Sequence, residues 1–175
     1  MICKDKQPTV ILPNIAPTIP ARKRAIVIDT QEKRPLKFNK SKTKHLKHGD
    51  YSLEGYEDQA AIERKSMQDI ASSICGTRRA IFEKNIKNAK KSLKFYGIVV
   101  EGNWADFSNP KKWYGRVAPK QVKGTITKWS AKYGMPVYFA GNKKGAAEIT
   151  ESVLKGYAYY NQTLPKTIPP VIPLK

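Results

Sequence analysis

Between residues 59 and 93 the hydrophobic pattern changes period, and that change limits the folds open to this chain more than any other feature. "QAAIERK" (59 to 65) reads as a strand, "SMQDIASSI" opens a helix on a capping signature, Ser66 with Asp69 three residues on, and residues 78 to 93 carry Phe82, Ile86, Ala89 and Leu93 on one helical face. A strand that runs straight into helices belongs to a sheet that those helices cover. The alternation recurs on both sides of this stretch. "AIVID" (25 to 29) reads as a strand followed by a basic polar loop to His48, and "DYSL" (50 to 53) forms a hairpin with 59 to 65 through the turn around Gly55. Downstream, "YGIVVEG" (96 to 102) is a buried strand, 119 to 132 a helix with Val122, Ile126 and Trp129 on one face, and "PVYFAG" (136 to 141) a further strand. A closing helix over 143 to 160 turns Ala146, Ile149, Val153, Tyr157 and Tyr160 inward. The expected class is a layered α/β domain with a central sheet. At 175 residues one such domain is expected, over 22 to 160. Arms in which prolines alternate with Ile, Leu and Val flank it at 1 to 21 and 161 to 175.

Charge narrows the function. Lys and Arg number 33 against 14 Asp and Glu, a formal charge of +19, of the sign that attracts a polyanion. Nucleic acid is the leading partner. A membrane surface would call for a basic amphipathic helix with a broad apolar face or a lipidation signal, and neither occurs. There is also no apolar run near the length of a membrane span and no signal-type segment, so an intracellular protein is expected. Cys3 and Cys75 stand far apart without metal-ligand spacing, which points away from a zinc site or a disulfide framework. Cys75 reads as a small core residue and Cys3 as a tail thiol.

The scarce carboxylates cluster. Of the 14, five are Asp29, Glu32, Asp50, Glu63 and Asp69, at strand ends or around "ERK". On a strand Glu63 and Lys65 share a face while Ile62 and Arg64 point the other way. With Asp50 arriving from the neighbouring strand, they make a carboxylate pocket for a hard divalent cation with an ammonium beside it, the parts that phosphodiester hydrolysis needs. Lys65 among carboxylates stays protonated and suits the orienting of water and the stabilising of a transition state. Each residue also has a plainer use. Glu63 and Lys65 could be a surface salt bridge, Asp69 a helix cap, and Arg64 a structural partner of Asp69 or Glu32. His45 and His48 lie in a lysine-rich loop without ligand spacing and read as solvated or phosphate-contacting. Arg78, Arg79, Lys84, Lys87 and Lys91 form the stripe best suited to DNA backbone contacts, or the wet face of an amphipathic helix. Trp104, Trp113 and Tyr114, interleaved with bases, can stack on unpaired nucleotides or pack in the core.

"GDYSL" followed by "AIERKSMQDIASSI" resembles the GD...ERKxxxD signature of the XPF-type structure-specific DNA endonucleases, a branch of the PD-(D/E)XK nucleases. "VIDTQEKRPL" resembles the same family's first Asp-x-Arg-Glu strand, with Gln31 in place of the arginine, and Gly76 with Arg78 is similar to its glycine–arginine step. The likeness is strong over 25 to 102 and looser to 160. It implies a restriction-endonuclease-like fold, a central mixed sheet flanked by helices. It further implies a metal-dependent endonuclease that cuts branched DNA such as flaps, forks or four-way junctions, in repair or recombination. Asp50 and Glu63 would hold Mg²⁺, with Mn²⁺ able to substitute. Lys65 and Asp29 would be catalytic, with Glu32, Arg64 and Asp69 in support, and the protein would be a homodimer. Characterised members usually continue into tandem helix-hairpin-helix modules, which the residues given do not contain. The alternative is a non-catalytic DNA-binding module of the same fold that positions DNA for a partner. A basic packaging protein would explain the charge but not the clustered carboxylates.

Overall fold

In the computed structural model, which describes residues 19–109 and 117–163, six strands make one mixed sheet. They are β1 (Ile26–Ile28), β2 (Ser41–Thr43), β3 (Tyr51–Leu53), β4 (Ala60–Ser66), β5 (Phe95–Glu101) and β6 (Val137–Phe139), in the order β2-β1-β3-β4-β5-β6. β1 pairs parallel with β2 and antiparallel with β3, β3 and β4 form the expected hairpin, and β4, β5 and β6 are parallel. Four helices cover the sheet: α1 (Met67–Ser73), α2 (Gly76–Ser92), α3 (Pro119–Tyr133) and α4 (Lys143–Thr163). The expected α/β class, a central mixed sheet flanked by helices, is what forms.

Alternation along β4 and β5 gives each face of the sheet its own core. Ala61, Tyr96, Ile98 and Val100 pack under α1, α2 and α3 with Ile70, Phe82, Ile86, Val122, Ile126 and Trp129. On the other face Ile62, Val99, Tyr51 and Leu53 pack with Ala146, Leu154 and Ala158 of α4. The helical residues picked out for α2 and α3 are those that are buried. α4 differs from expectation at its far end. Tyr160 is 65% exposed, and the buried line is Ala146, Thr150, Leu154 and Ala158. Small residues at that spacing let the helix lie close on the sheet, and the larger Ile149, Val153 and Tyr157 flank the contact half-buried.

A second difference concerns the basic loop before His48, which contains β2. The strand is exposed along its whole length and lysine-bearing, so no apolar alternation marks it in the sequence. Register comes from β1, with Val27 opposite Lys42. Cys75 is half-buried and packs against the first core at the start of α2. Cys3, Trp113, Tyr114 and all but the inner ends of both arms lie outside the described residues. Among those described, no helix is long and apolar enough to cross a membrane.

Candidate active site

Glycine at position 49 makes the approach of Asp50 possible. Gly49 has φ +72°, and a Cβ there would sit 2.9 Å from the Ile62 carbonyl oxygen of β4. With no side chain in the way, the Asp50 N–H donates to that same oxygen at 2.9 Å. The Asp50 carboxylate then turns back along β4, where its Oδ2 accepts the Arg64 N–H at 2.7 Å. Burial, and next the charge of Glu63, push the Asp50 carboxyl up to a pKa of about 7, against the pull of the Arg64 N–H and of Lys65.

Glu63 and Lys65 share the face that alternation predicts. The Lys65 ammonium lies 2.5 Å from Glu63 Oε1 and 5.1 Å above the Phe82 ring, and the buried Tyr96 hydroxyl donates to Glu63 Oε2 at 3.3 Å. Burial alone would lower the Lys65 pKa, but the charge and hydrogen bond of Glu63, with Asp50 and Asp69 behind them, raise it. Lys65 is an ammonium at neutral pH. Asp69 forms the capping box foreseen for α1: its N–H donates to Ser66 Oγ at 3.0 Å, and its Oδ2 accepts from the Ser66 hydroxyl at 2.7 Å. The same carboxylate adds to the field that keeps Lys65 charged.

Arg64, on the opposite face, is clamped. Its Nε donates to Glu101 Oε1 at 2.7 Å and its Nη1 to Glu32 Oε2 at 3.3 Å, with side-chain exposures of 14%, 16% and 8% for Arg64, Glu101 and Glu32. The Tyr51 hydroxyl donates to the same Glu32 oxygen at 3.3 Å, and burial raises its own pKa. The two carboxylates more than offset the burial of the guanidinium and raise its pKa further. Of the two partners foreseen for Arg64, Glu32 is one and Asp69 is not. Glu101 went unforeseen, and its only signal is a carboxylate closing the apolar strand "YGIVVE" one register step beyond Lys65.

Asp29, 8% exposed, spends its carboxylate on backbone. Oδ1 accepts the Leu46 N–H at 2.8 Å and Oδ2 the Gln31 N–H at 3.2 Å, while His45 Nδ1 stands 3.4 Å from Oδ1. These bonds tie the loops on either side of β2 to the end of β1. Gln31 contributes its N–H, which any residue but proline supplies, so an arginine side chain is not needed for this contact. His48 is half-buried, and burial and Lys47 lower its pKa.

Among the described residues no three His, Cys, Asp or Glu side chains converge on one metal-sized position. Magnesium does not require such a cage, since it commonly takes one or two carboxylates and completes its shell with water and phosphate. Asp50 and Glu63 are hard oxygen donors whose mutual repulsion a divalent cation would relieve, and in that sense the pair fits the ion.

The basic residues of α2 divide. Arg78 joins Glu63 and Lys65 around a cleft of about 220 Å³ whose further walls are Ser73, Ile81, Phe82 and Asn85. Arg79 turns inward, donating to Thr125 Oγ1 at 3.0 Å with its guanidinium 5.2 Å from the Trp129 ring centre. Lys84, Lys87 and Lys91 are exposed along the outer face, Lys87 at 4.0 Å from Glu83. Trp104 is 39% exposed, yet Lys123 lies 5.0 Å over its ring and Phe139 packs against it at 5.2 Å, so it serves packing rather than an open stacking platform.

The sequence profile of the ERCC4 domain matches residues 28–153. Among solved structures, XPF from Aeropyrum pernix is similar at 22% identity, over 77% of this chain and 65% of that one, with a TM-score of 0.59. The chain titled XPF from Aeropyrum pernix, complex with DNA, is similar at 21% identity, over 82% and 69% of the two chains, with a TM-score of 0.61. At these identities the likeness is one of fold, and this chain spans about two thirds of the length of each. No curated protein matches the sequence.

Proposed function

This chain belongs to the ERCC4 domain family, and on that premise we propose that it is a metal-dependent endonuclease that hydrolyses phosphodiester bonds in branched DNA. The observation that carries the reading is the carboxyl of Asp50, driven to a pKa of about 7 beside a lysine held charged. Such a carboxyl costs the fold stability, and a divalent cation held by Asp50 and Glu63 turns that repulsion into attraction. Asp50 and Glu63 would hold Mg²⁺ or Mn²⁺, which would supply charge neutralisation at the phosphate and an acidified water.

The chain's own groups do the rest. Lys65 has three N–H donors, and with one given to Glu63 the others are free to orient the attacking water and to meet negative charge as it develops on the phosphate. Because its pKa is raised, it does not act as the base. Arg64 acts through its backbone: clamped by Glu32 and Glu101, it keeps its N–H on Asp50 Oδ2 and orients that carboxylate. Arg78, from the other wall of the cleft, suits a phosphate next to the one being cut. The charge of +19 and the DNA complex of the similar XPF support DNA as substrate. Flaps, forks and four-way junctions are the substrate class, with the protein a homodimer acting wherever the cell keeps its DNA.

A second reading, a module that binds DNA for a partner without cutting it, draws on the lack of three converging metal-ligating side chains among the described residues. Labelled flap, fork, four-way junction, single-strand and duplex substrates in Mg²⁺ and in Mn²⁺ separate the two. The nuclease reading expects metal-dependent cutting that Asp50→Asn reduces to background and Lys65→Ala reduces by roughly 10²–10³-fold. Salt-sensitive binding with no substrate cut in either metal gives the protein to the second reading.

A further inference from the structure

Segment 33 to 48 contains seven Lys and Arg and no Asp or Glu, and the candidate site uses none of those cations. It is firmly attached to the sheet. Leu36 and Leu46 are buried, Phe38 meets Tyr51 edge-on at 5.6 Å, and the Leu36 N–H donates to the Tyr51 hydroxyl at 3.0 Å. Leu46 is held by Asp29 at 2.8 Å, while the Ile26 N–H to the Lys40 carbonyl and the Lys44 N–H to the Ile28 carbonyl, each 3.0 Å, bind the segment to β1. Tyr51 and Asp29 are next to Asp50, one along the chain and one across the sheet, where the Asp29 N–H donates to the Asp50 carbonyl at 2.9 Å. The basic segment is therefore anchored by the immediate neighbours of the candidate site.

Its charges sort by position. Lys42 and Lys44 pair with Glu54 and Glu57 at 3.0 and 3.2 Å, and the Lys40 amine donates to the Lys23 carbonyl. Lys33, Arg34, Lys37 and Lys47 are exposed and have no carboxylate partner among the described residues. Because β2 runs parallel to β1, the residues after Thr43 leave the sheet at the end where β1 gives way to Asp29 and β3 begins after Asp50. α4 reaches the same place through Lys143, whose amine donates to the Arg34 carbonyl at 3.0 Å. Four unneutralised cations on a rigid frame repel one another, and a phosphate backbone relieves that repulsion. Phe38, the segment's one phenyl ring, is packed on Tyr51, and of its two imidazoles His48 is half-buried and His45 stands 3.4 Å from Asp29 Oδ1, so the four free cations outnumber any stacking face and favour backbone phosphates.

We infer that Lys33, Arg34, Lys37 and Lys47 form a docking platform for the backbone of a duplex DNA arm, beside the candidate site and apart from the α2 lysines. The inference rests on reading the protein as one that acts on DNA, but not on its cutting. The test uses the full chain in EDTA, titrated with a short blunt duplex, a single strand of the same sequence and the matching RNA duplex over a range of salt. The quadruple variant Lys33→Gln, Arg34→Gln, Lys37→Gln, Lys47→Gln is compared with a control of equal charge, Lys94→Gln, Lys120→Gln, Lys128→Gln, Lys144→Gln. The platform variant is expected to lose about 0.9 of the log–log salt slope per contact, about 3.6 for the four, and at least about tenfold in duplex-DNA affinity near 0.1 M salt, with its melting temperature unchanged. The control keeps most of both. Equal losses in the two variants reduce the effect to overall charge and overturn the platform. So does unchanged affinity with new self-association, which makes the lysines guards of an exposed sheet edge, and so does a loss confined to the single strand or to RNA. Wild type that binds through the platform yet cuts nothing ends the nuclease reading alone, whereas cutting with unaltered duplex binding ends the platform alone.

Discussion

Strand β4 presents a cation on each of its faces, and the two cations meet their carboxylates differently. Arg64 faces Glu32 and Glu101, and its planar fork sends one N–H to each, so both carboxylates are in direct contact with positive charge. Lys65 faces Glu63 with Asp50 nearby, and its compact ammonium sits on Glu63. Asp50 is left with a backbone N–H and the repulsion of Glu63, and its carboxyl rises to a pKa of about 7. One face is a finished clamp, and the other stores an unmet demand for positive charge. Both faces combine one base with two acids, and the planar fork of Arg64 against the compact ammonium of Lys65 is what distinguishes them.

The clamp side should give the largest loss of stability. Arg64→Met leaves the half-buried Glu32 and Glu101 without their cation and is expected to cost about 3 kcal/mol, the lower end for a buried pair, in urea unfolding. The triple variant that also carries Glu32→Gln and Glu101→Gln should regain much of that loss. Arg64→Lys should fall between wild type and Arg64→Met, because an ammonium cannot serve two carboxylates in fixed directions. Full stability in Arg64→Lys would erase the contrast drawn between the faces.

The opposite face should respond to pH. Asp50 has its carboxyl raised from 3.8 to about 7 by folding, so the native protein binds the extra proton between those values. That contribution is whole below about pH 4 and is lost as pH rises through 7, so metal-free wild type should lose stability over this window and level off above it. Asp50→Asn should remove the decline and be the more stable protein at pH 8, by on the order of 4 kcal/mol. Saturating Mg²⁺ should raise the melting temperature of wild type and leave that of Asp50→Asn nearly unmoved. A variant less stable than wild type at pH 8 without metal would show that Asp50 is a structural carboxylate after all.

The smallest effect is expected at α1, the helix that continues β4. Ser66→Ala breaks the capping box of α1 and should cost about 1 kcal/mol in thermal unfolding. Asp69→Asn keeps a capping side chain but takes a charge from the field around Lys65, so its stability should change less than its cutting rate. Equal effects on both would make Asp69 a cap and nothing more.

Much of this was legible in the linear chain where a local rule was at work. Period-two alternation put Glu63 and Lys65 together and Arg64 apart, helical spacing identified the buried residues of α2 and α3, and Ser66 with Asp69 announced a capped helix. The motif spacing pointed to Asp50 as the carboxylate that meets β4. Such features depend on neighbours a few residues away, whose geometry is set by backbone periodicity.

What only the tertiary structure decided lies in pairings across distance. Glu101 reaches Arg64 because β5 lies parallel to β4 in one register, and nothing near either residue in the chain encodes that register. Asp29 proved to be held by the N–H groups of Gln31 and Leu46, Arg79 by Thr125 and Trp129, and the lysine-rich run after β1 proved to contain an edge strand. A charged side chain takes whichever partner the fold brings within a few ångströms, and burial then sets the worth of that contact. The sequence by itself determined the fold class and the shared face of Glu63 and Lys65. Packing determined which cation was spent on structure, and left Asp50 with a backbone N–H and no ion pair among the described residues.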